Sequence, residues 1–225
     1  MNTKSPLHFE THSFGLAVRT ARLLPWALAG MLTGCLSHTA PVRQTFALET
    51  PPPTNSVAAK GQAVLAIRTL QVSPLFAGRS LVYRTGAERY ELDPYAGFLV
   101  DPTHALAIPM RRYLRNPGAF KDVVEPGSQL EADTFLEVYV SELYGDLRPS
   151  NPPAAVLSMR MLFFAAGSEK MPRPFLERNY THRVPLRQKT AASLVAAWNQ
   201  ALAQAMTELA ADLASAQAER ANKSP

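Results

Sequence analysis

The stretch Leu23–Cys35, LLPWALAGMLTGC, sets the first limit on what this chain can fold into, because it separates residues that fold from residues that are removed. Its apolar part, Leu23–Thr33, is 11 residues long, whereas a membrane-spanning helix needs roughly 20. Arg19 and Arg22 precede it, which gives the basic flank and short apolar core of a secretory signal. The end of the run is more specific than that of an ordinary signal. Leu32, Thr33, Gly34 and Cys35 are an apolar residue, two small residues and a cysteine, the pattern of a bacterial lipobox. The small residues suit the narrow cleft of the lipoprotein signal peptidase, and cleavage falls between Gly34 and Cys35. The Cys35 thiol then carries diacylglycerol through a thioether, and its freed amine is acylated.

Cys35 is the only cysteine in the 225 residues, so no internal disulfide can form. A core cysteine, a nucleophile and a metal ligand are the alternatives. None of them explains the position, the length, the basic flank and the small residues together, and neither a second cysteine nor a histidine cluster supports a metal. The expected organisation is therefore a signal peptide at 1–34, a lipidated cysteine with a short leash at 35–42, a domain at 43–214 and a flexible tail at 215–225. Two or three acyl chains, at about 0.8 kcal/mol per buried CH₂, make a stable anchor where one is marginal. Leu36 and Ser37 follow the cysteine. An Asp at the first of these positions retains lipoproteins in the inner membrane of enteric bacteria. Its absence points to the outer membrane, with the domain facing the periplasm.

Removing residues 1–34 leaves 191, enough for one domain of ordinary size. The formal charge of +5 drops by two, to +3, because the removed part carries Lys4, Arg19 and Arg22 against Glu10. No basic cluster interleaved with aromatics remains, so nucleic acid is not an expected partner. With no disulfide available, the domain must be held by its core.

Arg43–Leu48 (RQTFAL) reads as a short strand and 51–61 as a proline-rich loop. The leash then has about seven residues and reaches only about 23 Å at ~3.3 Å per residue, so the domain sits near the membrane. Ala63–Val72 reads as a central strand covered on both faces. In Leu81–Leu92, β-prone runs flank Gly86-Ala87, which predicts a two-residue hairpin turn with Tyr83 opposite Tyr90 and Leu81 opposite Leu92. That register sets Arg84 against Arg89; a bulged turn is the alternative. Asp101-Pro102 starts a helix that ends near Arg115. Pro109 either kinks it or divides it into a turn and a shorter helix, and Arg111, Arg112 and Arg115 are expected on its solvent face.

Thr134–Leu143 alternates, with Leu136, Val138 and Val140 on one face. Ala154–Phe164 groups Leu157, Met159, Met161 and Phe163, and YGDLRPSNPP between these strands reads as a long hairpin connection. Phe175–Val184 is polar on both faces, as an edge strand would be. From Thr190 to about Ala214, Leu194, Trp198, Leu202, Ala205, Leu209 and Leu213 recur at helical steps, with Asn199, Gln200, Gln204, Glu208 and Ala211 opposite. The polar side lacks Lys and Arg, which disfavours a helix lying on a membrane. The expected fold class is α+β: a mainly antiparallel sheet with two helices packed on one face, after a lipoprotein signal peptide.

Chemistry is sparse. His104 and His182 each stand alone, and there is no nucleophile elbow, zinc-protease helix or phosphate loop. No catalytic residue, metal site or cofactor is expected, and the chain is read as a non-enzyme.

Several segments together resemble the auxiliary lipoprotein family of ABC-type transport systems, which includes paraquat-inducible protein C. They are the lipobox, RQTFAL, Leu81–Gly86 with Arg89–Leu92, the helix followed by Phe120–Val124, VSELYGDLR (Val140–Arg148), HRVPL (His182–Leu186) and the Ala-rich Trp198 helix. The likeness is clearest over Ala63–Phe120 and extends over nearly the whole mature chain. Many members carry Trp-x-x-Pro before the first helix; here Phe98 stands in the place of that Trp, ahead of Pro102.

The resemblance implies an outer-membrane lipoprotein that docks a mammalian-cell-entry (MCE) domain protein of an ABC lipid transporter, with the ATP chemistry in other subunits. Arg79, Tyr83, Arg84 and Tyr90 are candidate partner contacts, set against plain hairpin packing. A homo-oligomer is compatible with the sequence. Two rival readings remain: a lipoprotein factor assisting outer-membrane barrel or lipopolysaccharide assembly, and a lipid-tethered periplasmic enzyme.

Overall fold

The computed structural model describes residues 42–50, 61–115, 120–167 and 173–223. In chain order the elements are β1 (Gln44–Phe46), β2 (Val64–Val72), β3 (Ser80–Arg84), β4 (Tyr90–Phe98), α1 (Pro102–Arg115), β5 (Asp122–Val124), β6 (Thr134–Asp146), β7 (Ala154–Ala165), β8 (Leu176–Pro185) and α2 (Ala191–Lys223). The order matches the expected one, with β5 added between α1 and β6. No helix among the described residues is long and apolar enough to cross a membrane.

All eight strands join one sheet organised around β6. Along one edge β6 pairs with β7 from Thr134 to Asp146. Along its other edge it takes two partners in succession: β2 beside Thr134–Val140 and β3 beside Gly145 and Asp146, both parallel. Where β2 ends, Ser73 N–H donates to the Val140 carbonyl at 2.8 Å, so the ladder continues into the connection. The hairpin of β3 and β4 then extends the sheet, with β1 parallel to β4. On the other flank β5 runs parallel to β2. β8 pairs with β7 alone among the described strands, which makes it the expected edge strand.

Four of the seven pairings are parallel. The α+β class holds, but the mainly antiparallel sheet is corrected to a mixed, mostly parallel pattern of neighbours. The antiparallel pairs join strands consecutive in sequence. The parallel pairs join strands about 50 to 70 residues apart; α1 lies in the connection for the β2–β5, β2–β6 and β3–β6 pairs but not for β1–β4, and no local signal encodes them.

The residues expected to face the core do so. Leu136, Val138 and Val140 of β6, the Leu157–Phe163 set of β7, and all six residues of the α2 stripe are buried in one continuous cluster. Each large aliphatic side chain sealed there contributes about 1.5–3 kcal/mol. Trp198 is fixed at both ends of its ring: Nε1 donates to the Val156 carbonyl at 3.1 Å, and the ring stacks on Phe98 at 5.5 Å. Both helices lie on this face, and Tyr113 Oη of α1 meets Thr207 Oγ1 of α2 at 3.3 Å. α2 continues to Lys223, beyond the expected end near Ala214, because the sequence there offers no Gly or Pro to stop it.

α1 is a single helix through Pro109. Asp101 caps it, with Oδ1 accepting from His104 N–H at 3.2 Å and Oδ2 holding His104 Nδ1 at 2.8 Å. The basic side chains of α1 are not a simple solvent face. Arg111 lies 3.1 Å from Glu125, and Arg115 bonds Glu125 (2.8 Å) and the Val123 carbonyl (2.9 Å), which ties β5 to the helix; Arg112 alone of the three fits the expectation as an exposed residue without such a tie in the helix–β5 contact.

Candidate functional site

The hairpin register decides which side chains meet. Tyr83 pairs with Glu91 and Arg84 with Tyr90, one residue away from the register expected for a two-residue turn. Thr85–Arg89 form a longer loop, closed by Thr85 N–H to the Arg89 carbonyl at 2.9 Å. This removes the Arg84–Arg89 opposition. Arg89 instead donates to Thr85 Oγ1 at 3.0 Å and lies 3.6 Å from Glu91. A slip of one residue turns side chains to the other face of a strand, so Arg84 and Tyr90 share one face and Tyr83 points to the other.

On the face away from the helices, Arg84 and Tyr90 meet Phe76 from the β2–β3 connection and Tyr144 from β6. Tyr144 stacks on Phe76 at 5.7 Å, and Tyr90 sits edge-on to Tyr144 (5.7 Å) and to Phe76 (6.0 Å). The Arg84 guanidinium lies 5.6 Å from the Tyr90 ring and 5.9 Å from the Tyr144 ring, within cation–π range, and donates to the Ala87 carbonyl at 2.6 Å. Burial pushes the Tyr144 phenol above its ordinary pKa. Tyr90 is 40 % exposed and Leu75, next to Phe76, is 72 % exposed, so the cluster has an apolar rim open to a partner.

Asp146 lies beside this cluster, paired in register with Arg84 and wholly buried. Its carboxylate accepts from Arg148 Nε (2.9 Å), Arg148 Nη2 (2.7 Å), Arg148 N–H (3.1 Å), Asn151 Nδ2 (3.2 Å) and Arg183 Nη1 (2.6 Å). The hydrogen bonds from Arg148, then those from Arg183 and Asn151, hold it well below the usual carboxylate range against the opposing effect of burial. Arg183 also donates to the Pro152 carbonyl at 2.8 Å, so the network locks the β6–β7 connection to β8. Phe76 and Tyr144 are themselves buried, so the open part of the cluster, Tyr90 with Leu75, stands on a rigid base. Tyrosine and arginine over a fixed base are the side chains that carry energy at protein interfaces.

The four candidate contacts read from the sequence do not form one site. Arg84 and Tyr90 belong to the cluster. Tyr83 packs on the helix side, where a Cβ on Gly145 would come within 2.9 Å of its ring; its hydroxyl donates to Asp93 at 3.1 Å, and burial raises its pKa. Arg79 clamps the end of β4, donating to the Phe98 carbonyl at 3.2 Å and to the Leu99 carbonyl. Leu32, Thr33, Gly34 and Cys35 lie outside the described residues.

Phe76, Tyr144, Asp146, Arg148 and Arg183 were not anticipated. YGDLRPSNPP reads as loop, yet β6 continues to Asp146 and the first proline comes only at Pro149. A bulge between Val140 and Glu142 also shifts the alternation, which hides the facing of Tyr144 and Asp146. Among the described residues no group of three His, Cys, Asp or Glu side chains could hold a metal ion.

A profile of a family described as the ABC-type transport auxiliary lipoprotein component matches residues 46–210. Among solved structures, a Xanthomonas campestris protein described as a DUF330 member is similar at a TM-score of 0.67 and 18 % identity, covering 80 % of this chain and 100 % of that one. A second, described as an uncharacterized protein, is similar at 0.58 and 17 %, covering 76 % and 99 %. At these identities the structures share the fold. No curated protein matches the chain.

Proposed function

The chain belongs to the ABC-type transport auxiliary lipoprotein family, and from that premise we propose that it is the docking component of an MCE-type ABC lipid transporter, anchored in the outer membrane and facing the periplasm. The observation that carries the reading is the family match over 46–210 in a chain whose lipobox ends at Cys35, 11 residues earlier. Diacylglycerol on Cys35 fixes the domain to the bilayer, and the seven residues after it, Leu36–Val42, keep it within about 23 Å of the surface. Tethering turns capture of the MCE protein into a near-surface event at high effective concentration. Exposed Tyr90 and Leu75, seated over the buried Tyr144 and Phe76 rings and the Arg84 guanidinium, are the proposed contact, and the Asp146 network keeps them preorganised. Hydrolysis of ATP and movement of lipid belong to the other subunits.

The test is a crosslinking pull-down of the lipidated protein from native membranes. The expected result is recovery of an MCE-domain protein, with the permease and ATPase behind it. Recovery of barrel-assembly or lipopolysaccharide-assembly components without an MCE protein contradicts the proposal and favours that rival. In parallel, Cys35→Ala is expected to abolish lipid labelling and leave the signal uncleaved. A variant that is still processed and membrane-bound overturns the anchor.

A further inference from the structure

β4 carries a bulge that the hairpin does not need. Between the Val82↔Leu92 and Ser80↔Gly97 pairs the register breaks, so that the four residues Asp93–Ala96 stand opposite Leu81 alone. Asp93 is turned inward: one carboxylate oxygen accepts from the Tyr95 and Ala96 N–H groups, each at 2.9 Å, and the other accepts from Tyr83 Oη at 3.1 Å. What remains outside is apolar. Leu92 is 65 % exposed, Tyr95 is 53 % exposed, and Pro94 between them is exposed as well. Bulges of this kind re-aim side chains, and this one holds Leu92, Pro94 and Tyr95 outward within about 10 Å of strand.

The start of the domain meets the same place. β1 pairs Gln44 with Ala96, so Val42, 84 % exposed, lies two residues before that pair, on the side toward Tyr95. From Val42 the chain leads in seven residues to Cys35. We propose that the Leu92–Pro94–Tyr95 bulge with Val42 is a bilayer-contact surface that seats the domain in the lipid interface. The proposal rests on the reading that Cys35 carries the lipid. The leash selects the occupant, because it brings this corner of the domain to the membrane before any other.

Leucine and tyrosine suit the boundary between headgroups and acyl chains, where an apolar body and a polar tip are both solvated. Of the nearby charges, Arg89 lies 3.6 Å from Glu91, whereas Arg43 bonds only the neutral Ser80 hydroxyl and keeps its positive charge beside Val42, so the contact is mainly apolar with one cation at its edge that favours anionic headgroups. Tyr90 and the docking surface lie further along β4 toward the hairpin loop, free to meet a partner at the membrane.

The test uses the mature, lipid-bearing protein with Leu92→Trp, reconstituted into phosphatidylethanolamine–phosphatidylglycerol vesicles with or without brominated acyl chains. Trp198, 1 % exposed, gives a constant background. The expected result is roughly twofold or greater quenching of the introduced indole by brominated lipid, largely retained in high salt, with no quenching for Leu130→Trp in the connection before β6. Tyr95→Trp is the second reporter should Leu92→Trp misfold. Equal emission in both vesicles from a protein whose mass confirms the lipid overturns the bilayer contact and leaves the anchor standing. Emission that shifts only when membrane-protein extract is added overturns it in favour of a protein contact. An unmodified Cys35 in the mass spectrum overturns the anchor and this inference together.

Discussion

Asp146 shows how much one residue can hold in this domain. Its carboxylate accepts five hydrogen bonds from Arg148, Asn151 and Arg183 while wholly buried. Removing its charge leaves two guanidinium groups without their counter-ion, so Asp146→Asn is expected to cost about 3 kcal/mol. In a domain of this size that lowers the melting temperature by roughly 6–12 °C at pH 7. The pH dependence has a definite sign. A carboxyl whose folded pKa is depressed contributes stability above its unfolded pKa, about 3.9, and loses it as pH falls toward the folded value. Thermal melts should therefore show the gap between wild type and Asp146→Asn closing below about pH 4. A constant gap at all pH values would assign the loss to packing. The sequence announces none of this, because an Asp beside Gly145 and just ahead of a proline-rich stretch reads as turn material. Cys35 is the opposite case: the role proposed for it is read from its sequence neighbours alone.

Among the elements, α2 is the most legible. Its apolar steps need no knowledge of partners, and every residue of the expected stripe is buried. Trp198→Ala removes the stacking on Phe98 and the donor to the Val156 carbonyl, with an expected loss of about 4 kcal/mol in denaturant unfolding. The β3–β4 hairpin is legible in existence but not in register, since a two-residue turn and a five-residue loop differ by side-chain bonds, Arg89 to Thr85 and Thr85 to Glu91, that local propensity does not contain. Gly97 tests the observed arrangement. A Cβ there would lie 2.6 Å from the Arg79 carbonyl oxygen, part of the backbone, so Gly97→Ala should destabilise by about 1–3 kcal/mol. An unchanged unfolding midpoint would contradict the close approach of β3 to β4 at this point.

For the whole molecule, the local pairings β6–β7 and β7–β8 follow from sequence order, whereas the parallel contacts of β2 and β3 with β6 depend on chain return and were not legible. The order bears on the proposed function because it sets β4, the proposed docking cluster and β1 at one end of the sheet, with Val42 seven positions after Cys35 in sequence. Lengthening that leash by inserting about 30 Gly/Ser residues after Ser37 should preserve lipidation but lower the effective concentration at the membrane. The expected outcome is a reduced yield of partner crosslinks from cells; an unchanged yield would remove the short leash from the mechanism. The central claim is that the hairpin end of the sheet docks an MCE-domain protein, and site-specific photocrosslinking in intact cells tests it most directly. A photoreactive side chain at Tyr90, compared with one at Tyr139 further along the same open face, is predicted to capture an MCE-domain protein from position 90 and not from 139. Capture of that protein only from position 139, or of barrel-assembly components alone from position 90, would contradict the account.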